Sequence, residues 1–329
     1  MLLQLIVVGV LLYTAWCYIS RYIQIQQVER RVVFVTGCAT GFGNKLAKRL
    51  DELGVHVYAG CLTPEFADEL NGETSDRVKA FVYDVTKQDT IDNAVNFVRR
   101  DLNGEPLWAI VNNAGVPAAL VPFDWTQVEE YQTVLDINFM GVVRTTLALL
   151  PFLKKGLEGR IVNVSSMNGR LNIMSNPYGI SKCALEALSN GLSFELKPFN
   201  ITVHTLQPSI FKTKISSPDV HQELIESSWD KLSHNMKREY GENYLKEKIS
   251  SIKSFYEKNT CSDLSKVIRA FEHALFAKYP RNRYVVGWDA KFVLLPLSLL
   301  PFSIQFLLIP FMQKAAGLRD VVPQYAVKE

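Results

Sequence analysis

The sequence predicts an α/β fold in which helices cover both faces of a doubly wound parallel sheet. Seven short runs rich in β-branched residues alternate with longer amphipathic segments between residues 31 and 286. This alternation is typical of successive βαβ units, whose right-handed crossovers place helices on both faces of one sheet. The chain of 329 residues is 48% hydrophobic and 21% charged, so it has enough apolar side chains for one sizeable core.

The first element is an apolar stretch at residues 2–19, which carries no charge and one strongly polar side chain, Gln4. As a helix it reaches about 27 Å at about 1.5 Å per residue, which approaches the thickness of a bilayer core. Because no basic residue precedes it and no typical cleavage site follows it, we predict an uncleaved membrane anchor within residues 1–26. Three arginines follow within residues 21–31, which favours a cytosolic position for the rest of the chain.

The main domain is predicted at residues 27–288. Its strands are short runs rich in Val, Ile and aromatic residues, and the segments between most of them are long enough for a helix. The predicted strands lie at residues 31–36, 55–62, 78–85, 107–111, 160–165, 201–206 and 283–286.

Residues 209–261 break this rhythm, because they are mostly polar and helical in pattern and precede the last helix and strand. Insertions after a late strand lie at the carboxyl edge of the sheet, where ligands bind. We therefore predict a substrate lid at this position, and a plain surface excursion is the alternative.

The C-terminal part, residues 289–329, begins with a second apolar stretch at residues 292–312. Pro296, Pro301 and Pro310 interrupt this stretch, and each proline removes a backbone donor from a helix. A hairpin or broken helix lying in a membrane interface is expected, rather than a second crossing or a buried core helix.

Two compositional features limit the function. The formal net charge of +3 is too small and too mixed in sign to predict a nucleic-acid partner. The five cysteines are scattered without the spacing of metal ligands, so neither a disulfide framework nor a metal site is predicted.

A glycine-rich turn, TGCATGFG at residues 36–43, joins the first predicted strand to the first amphipathic helix. Glycines allow a tight turn and let backbone amides approach a pyrophosphate at the N-terminus of a helix. This position therefore predicts a dinucleotide site that contains Gly37, Gly41, Phe42 and Gly43.

The choice between NAD and NADP depends on the end of the second strand. An acidic residue there usually binds a ribose hydroxyl, whereas an arginine binds a 2′-phosphate. Residues 50–76 contain no Lys or Arg that would bind a 2′-phosphate. Glu65 lies near the position in the sequence where an acidic residue usually binds the ribose, so the pattern favours NAD. The alternative is that Glu65 is only a solvated carboxylate, and Lys45 and Arg49 on the preceding helix keep NADP open.

A tyrosine and a lysine, Tyr178 and Lys182, lie four residues apart after Pro177, a residue that favours a helix start. This spacing places both side chains on one face of a helix. An ammonium group beside a phenol stabilises the phenolate and lowers the pKa of the tyrosine, which allows acid–base chemistry near neutral pH.

Three further features accompany this pair: NNAG at residues 112–115, Asn138, and Ser166 at the end of GRIVNVSS, twelve residues before Tyr178. With the glycine turn, the whole set resembles the short-chain dehydrogenase/reductase family closely in order and spacing, over roughly residues 30–290. The resemblance implies a Rossmann fold and a nicotinamide cofactor.

The resemblance also implies roles for four side chains. Tyr178 exchanges a proton with the substrate, Ser166 hydrogen-bonds the substrate oxygen, and Lys182 lowers the pKa of the tyrosine and holds the nicotinamide ribose. Asn138 maintains a local kink and a water that leads to Lys182. Ser165 competes for the serine role, and the spacing to the following glycine favours Ser166.

For the cofactor, the resemblance implies that Asp84 and Val85 lie beside the adenine and that Asn112 and Gly115 lie along the ribose. Tyr178 and Lys182 contact the cofactor too, and Thr213 lies near its carboxamide. One position departs from the family, because Ser209 follows Pro208 where the family usually has glycine. Serine lacks the conformational freedom of glycine, so a small change in nicotinamide placement is expected.

The segments AGCLTPEFADEL and GWDAK are similar to those of the retinol dehydrogenase and 17β-hydroxysteroid dehydrogenase type 6 subgroup. This similarity implies a lipophilic substrate, a retinoid or a hydroxysteroid, and a place in the endoplasmic reticulum membrane with the catalytic domain facing the cytosol. It also leaves a homodimer open. Two alternatives are open. One is a 3-hydroxyacid dehydrogenase with Lys212 or Lys214 as the anion site, and the other is a catalytically silent lipid-binding protein of the same fold.

Overall fold

A seven-stranded, all-parallel sheet forms the centre of the computed structural model, which describes residues 4, 7–9, 12, 13, 16, 19, 22–318, 322 and 323. The strand order is β3-β2-β1-β4-β5-β6-β7. All seven predicted strands are confirmed, and each end lies within three residues of its expected place. The strands are β1 Val32–Thr36, β2 His56–Cys61, β3 Val78–Val82, β4 Ala109–Asn112, β5 Gly159–Val164, β6 Ile201–Pro208 and β7 Arg283–Val286.

Helices connect these strands and cover both faces of the sheet. Hydrophobic side chains of α1, α2 and α9 pack on one face, and those of α3, α4 and α5 pack on the other. The bounds of the helices are α1 Gly41–Glu52, α2 Pro64–Glu73, α3 Gln88–Leu102, α4 Val128–Leu153, α5 Pro177–Glu195, α6 Pro218–Asp230, α7 His234–Tyr240, α8 Glu242–Asn259, α9 Ser265–Phe276 and α10 Phe302–Ala315.

The strand order reverses between β1 and β4, so the loops after these two strands diverge to opposite sides of the sheet. Such a switch point leaves a crevice at the carboxyl edge, where ligands of doubly wound folds bind. The predicted doubly wound topology is confirmed, and it brings the glycine turn after β1 beside the NNAG turn after β4.

A buried arginine, Arg160 of β5, secures the end of α9 beneath the sheet. Its guanidinium donates hydrogen bonds to the carbonyls of Ala274 at 2.7 Å and Ala277 at 2.6 Å. The ring of Trp108 lies 5.0 Å from the guanidinium carbon. Burial lowers the pKa of Arg160 to about 10, which leaves it a cation at neutral pH.

Residues 209–261, the lid segment, contain three helices, α6 to α8, as the predicted helical insertion requires. They pack through an aromatic cluster of Trp125, Trp229, Tyr240 and Tyr244, in which the rings of Trp125 and Trp229 are 5.1 Å apart. Trp125 precedes α4, so this aromatic cluster joins the lid segment to the main domain.

Half of the predicted membrane anchor, residues 1–26, lies outside the described residues. Those described within residues 4–19 are helical and exposed. Gln24, within the last residues of the predicted anchor segment, forms an antiparallel bridge with Ala277 at the end of α9.

The C-terminal apolar stretch is a broken helix, as predicted, and its break lies before Pro301, whereas Pro310 lies inside α10 without ending it. Helical turns at Ala290–Leu294 and Leu295–Ser298 end before Pro301, and α10 follows. Among the described residues, only Val128–Leu153 has the length and apolar composition of a membrane-spanning helix, and this helix, α4, packs in the core.

Candidate active site

The glycine turn folds tightly between β1 and α1. Gly37 and Gly41 have φ angles of +71° and +65°, which favour glycine. A Cβ at Gly43 would lie 2.3 Å from the carbonyl oxygen of Gly37, so only glycine fits there. Thr40, the residue before α1, makes no side-chain capping bond, which leaves the first amides of the helix open to an anion.

A clamp that the sequence reasoning did not identify holds this turn in place. The side-chain amide of Asn113 donates hydrogen bonds to the carbonyls of Thr36 at 2.9 Å and Gly37 at 3.0 Å. In return, the Thr36 hydroxyl accepts from the backbone amides of Asn113 and Ala114, both at 3.0 Å. The motifs TGCATGFG and NNAG contain these residues, but only the pairing of β1 with β4 shows that they meet.

Tyr178 and Lys182 lie in the first turns of α5, whose start at Pro177 confirms the predicted helix. The side chain of Asn176 caps the helix by accepting a hydrogen bond from the amide of Gly179 at 2.8 Å. The ammonium of Lys182 lies 5.6 Å from the centre of the Tyr178 ring and donates a hydrogen bond to the carbonyl of Val164 at 2.8 Å. The pair therefore faces the carboxyl end of β5.

Of the two candidate serines, Ser166 is the one that lies beside Tyr178. The Ser166 hydroxyl accepts a hydrogen bond from the amide of Asn168 at 3.1 Å, and it interacts with the phenol of Tyr178. Ser165 points into the interior, where it is 2% exposed and packs against Gly169. This arrangement follows from the alternation of side chains at the end of a strand.

The ionisation of the two central groups is governed mainly by burial. Burial raises the pKa of Tyr178, and the interaction with Ser166 opposes this rise. Burial also lowers the pKa of Lys182 to about 8, although Glu186 on the next helical turn acts in the opposite direction. Within the chain itself, the pKa of Tyr178 is therefore raised by desolvation, in the direction opposite to the one expected from Lys182.

Asn138 lies in a π-helical turn, Asp136–Met140, which interrupts the α-helical hydrogen bonding of α4 at the position where the kink is expected. Its side chain accepts a hydrogen bond from the amide of Val116 at 2.8 Å and donates to the Val116 carbonyl at 3.0 Å. It also donates to the hydroxyl of Ser181 at 3.1 Å, so it joins the segment after NNAG to α5.

Gly115 lies where these groups converge. A Cβ at this position would be 3.1 Å from Oδ1 of Asn138 and 3.7 Å from Nζ of Lys182. The glycine therefore keeps the backbone of the NNAG turn close to both side chains.

The remaining predicted cofactor residues lie around the same crevice, with different freedom to bind. Val85 packs against Gly141, and Oδ1 of Asp84 accepts hydrogen bonds from Thr86. Thr213 lies beside the glycine turn, since a Cβ at Gly41 would be 3.6 Å from its side chain. The amide of Asn112 is buried and donates to Asn163 at 2.8 Å and Thr146 at 3.2 Å. These bonds join the side-chain amide of Asn112 to α4 and β5.

Ser209 does not adopt the left-handed conformation that glycine favours. Its hydroxyl donates a hydrogen bond to the carboxylate of Asp289, and its amide donates to the carbonyl of Val286 at 2.8 Å. Asp289 belongs to the GWDAK segment, so the serine links the end of β6 to the residues after β7.

Of the charged residues that could distinguish NAD from NADP, Arg49 already forms ion pairs within the protein, whereas Lys45 and Glu65 are exposed. Arg49 donates hydrogen bonds to Glu272 at 2.5 Å and Glu52 at 2.8 Å, whereas Lys45 is exposed. Glu65 is exposed in the first turn of α2, and a hydrogen bond from Thr63 lowers the pKa of its carboxyl.

A doubly wound sheet with a glycine turn at its switch point and a Tyr–Lys pair beside it defines a dinucleotide-dependent oxidoreductase. The family model for short chain dehydrogenases matches residues 31–224. The chain belongs to the short-chain dehydrogenase/reductase family, as the sequence resemblance implied. The predicted enzyme class, a nicotinamide-dependent alcohol dehydrogenase or ketone reductase, is thereby confirmed.

Sequence relatives agree with the predicted subgroup. The chain is 39% identical to retinol dehydrogenase 7 of Rattus norvegicus over 84% of this chain and 87% of that protein. It is 37% identical to dehydrogenase/reductase SDR family member 9 of Bos taurus over 98% of this chain and 100% of that protein. It is 38% identical to 17-beta-hydroxysteroid dehydrogenase type 6 of Rattus norvegicus over 87% of this chain and 91% of that protein.

Solved structures agree with the fold. A short-chain dehydrogenase from Streptomyces avermitilis is similar with a TM-score of 0.63 and 25% identity, covering 88% of this chain and 98% of that one. A 3-ketoacyl-(acyl-carrier-protein) reductase from Brucella melitensis, complexed with NADH, has a TM-score of 0.54 and 29% identity, covering 57% of this chain and 79% of that one.

Proposed function

We propose that this enzyme transfers a hydride between NAD and a lipophilic alcohol or ketone, with a retinoid or a hydroxysteroid as the substrate class. The observation that carries this proposal is the convergence of Tyr178, Ser166 and Lys182 at the carboxyl end of β5, beside the glycine turn. The printed names of the sequence relatives, retinol dehydrogenases and a hydroxysteroid dehydrogenase, support the substrate class.

The side chains of this site are suited to distinct tasks. Tyr178 holds the proton that is exchanged with the substrate oxygen, and Ser166 donates a second hydrogen bond to the same oxygen as charge develops there. Lys182 is held by the carbonyl of Val164, from where it orients the ribose, and Asn138 fixes the geometry between α4 and α5. The nicotinamide supplies the hydride acceptor or donor when the cofactor is bound.

The predicted cofactor residues would together form the cradle for a dinucleotide. Gly37, Gly41 and Gly43 bring the backbone close to a pyrophosphate at the N-terminus of α1, with Phe42 between them. Further along the crevice, Asp84 and Val85 would flank the adenine, Asn112 and Gly115 would follow the ribose, and Thr213 would lie near the carboxamide.

Two observations favour NAD over NADP as the cofactor. Arg49, the arginine of α1, is already paired with Glu272 and Glu52. Residues 50–76 contain no Lys or Arg that would neutralise a 2′-phosphate. Lys45 is the remaining cation that would favour NADP.

We further propose that the enzyme works at a membrane, with the main domain at residues 27–288 as the catalytic unit. The phenylalanines of α10 form an apolar surface, with Phe302, Phe306 and Phe311 exposed by 78%, 68% and 75%. A surface of this kind is suited to the interface of a bilayer. A cytosolic orientation at the endoplasmic reticulum, an anchor at residues 1–26 and a homodimer stay predictions.

The hydroxyacid alternative is less well supported by the structure. Both lysines considered for a carboxylate site, Lys212 and Lys214, are exposed on the surface of the loop before α6. A buried pocket cation would be needed to prefer a small anion over a lipophilic alcohol.

The test is a substrate panel of retinols, hydroxysteroids and 3-hydroxyacids, assayed on the full-length enzyme with NAD and with NADP side by side. We expect turnover of lipophilic alcohols with NAD, and we expect Tyr178→Phe to lower kcat/KM by about 10² to 10⁴ because it removes the proton donor. Absence of turnover for every lipophilic alcohol, or full activity of Tyr178→Phe, contradicts the proposal. Far-ultraviolet circular dichroism of the variant controls for folding.

A further inference from the structure

An arginine in the second half of α4, Arg144, reaches across to the segment that follows β3. Its Nη1 atom donates a hydrogen bond to the carbonyl of Val85 at 3.3 Å and another to the carbonyl of Asp136 at 3.4 Å. Its Nη2 atom forms an ion pair with the carboxylate of Asp136 at 2.5 Å. Arg144 and Val85 are 59 residues apart in the sequence, so the guanidinium joins two distant parts of the chain.

Asp136 fixes the direction in which the arginine points. It opens the π-helical turn of α4, and its carbonyl accepts the bond that closes this turn from the amide of Gly141 in addition to the bond from Arg144. A planar guanidinium has several donors in a fixed arrangement, so it can bind a carboxylate and a carbonyl at the same time. Its side chain is 28% exposed, which leaves the ion pair partly shielded from solvent.

Two neighbours of Arg144 on α4 hold the same segment after β3. The hydroxyl of Thr145 accepts a buried hydrogen bond from the phenol of Tyr83 at 3.0 Å. Gly141 packs against Val85, because a Cβ at the glycine would lie 2.6 Å from Cγ2 of the valine. This part of α4 therefore holds the segment that follows β3, the edge strand of the sheet, against the main domain.

Val85 also lines the crevice in which the cofactor is proposed to bind. A small cavity of about 140 Å³ is lined by Val85, by Thr36 of the glycine turn and by Ala114 of the NNAG turn. These two turns flank the switch point of the sheet, where dinucleotides bind in doubly wound folds. With Asp84 and Val85 beside the adenine, a shift of Val85 changes the shape of the adenine side of the crevice.

We propose that Arg144 is a positioning residue for the cofactor, which fixes Val85 and thereby sets the affinity for the adenine half of NAD. Asp136 holds the guanidinium in the orientation that this role requires. The inference rests on the proposed function, because it takes the crevice to bind NAD with the adenine beside Val85.

The experiment measures the Kd of NAD and of AMP by calorimetry for the full-length wild-type enzyme and for Arg144→Met. Methionine is a good helix former and keeps an unbranched stem, but it removes every donor of the guanidinium. We expect both Kd values to rise about tenfold, which is the effect of losing one hydrogen bond to a charged group. The KM for NAD should rise with them, whereas kcat at saturating NAD, measured with the best alcohol of the substrate panel, should be retained.

Two further variants separate a positioning role from a general loss of stability. Arg144→Lys keeps a cation for Asp136 but presents its donors from a single nitrogen, so both Kd values should rise only about threefold. Arg99→Met removes an exposed arginine of α3 whose hydrogen bond, at 3.0 Å, goes to Asn96 of the same helix, and it should leave both Kd values unchanged. Far-ultraviolet circular dichroism and urea titration of each variant report on folding.

Three outcomes overturn the inference. The first is an unchanged Kd of NAD and AMP in Arg144→Met, and the second is a lower kcat at saturating NAD with unchanged Kd values. The third is a rise in Kd that accompanies a loss of helical signal, which assigns the arginine a purely structural role. If the wild-type enzyme does not bind NAD, the proposed function itself fails, so the two failures are distinguishable.

Discussion

The carboxyl edge of the sheet and the lid segment are built by different means. At the sheet edge, Asn113, Asn138 and Lys182 are each fixed by hydrogen bonds to backbone carbonyls of neighbouring elements. In the lid segment, rings pack against rings, as Trp229 packs on Trp125 with centroids 5.1 Å apart. We therefore propose that proton and cofactor chemistry depends on the rigid sheet edge, and that substrate selection depends on a lid segment which repacks more readily.

The largest expected difference between the lid segment and the sheet edge comes from Trp125→Ala in the aromatic cluster, which should destabilise only the lid segment. Trp125 is fully buried against Trp229, so its loss should weaken the attachment of the lid segment by about 3–5 kcal/mol. Hydrogen exchange and limited proteolysis should show increased opening within residues 209–261 and unchanged protection in the sheet. NAD affinity should change little.

Trp125→Phe is the matched control, because it keeps a ring and removes an indole N–H that has no hydrogen-bond partner among the described residues. Its effect should be much smaller than that of the alanine variant. Equal opening of the sheet and the lid segment in Trp125→Ala would show that the two regions unfold as one unit.

The sheet edge carries an electrostatic cost at Lys182, whose charge is buried, and Lys182→Met should remove that cost. The folded-state pKa of Lys182 is about 8, against an ordinary value of 10.5, because burial disfavours its charge. This cost is fully present below pH 8 and declines as pH rises toward 10.5, since only the unfolded chain then binds the proton.

We therefore expect Lys182→Met to have a higher free energy of unfolding than the wild-type enzyme, measured by urea titration between pH 7 and 9.5, with the largest difference at the low end of this range. The advantage should shrink by about 2 kcal/mol between pH 8 and 9.5. Measurements stop below pH 10, because the raised pKa of Tyr178 adds an opposing effect above that value. A difference that is independent of pH would contradict the burial argument.

The same contrast explains which features the sequence predicts. Strands, the glycine turn and the Tyr178–Lys182 pair are local patterns, so residue spacing predicts them. The clamp from Asn113 to Gly37 and the bond from Asn138 to Ser181 join residues far apart in sequence, and they appear only when the topology is known. Spacing alone also suggested a lowered pKa for Tyr178, because it did not include the burial of the phenol.

The smallest expected effect tests the rigidity of the sheet edge through Gly43→Ala. The added methyl group would lie 2.3 Å from the Gly37 carbonyl oxygen and 2.6 Å from Nδ2 of Asn113, so the clamp must shift. We expect NAD binding, measured by calorimetry, to weaken by about 1–3 kcal/mol. Gly72→Ala is the control, since nothing lies within 4 Å of its added methyl group in α2. Unchanged affinity in Gly43→Ala would mean that the glycine turn adapts as readily as the lid segment.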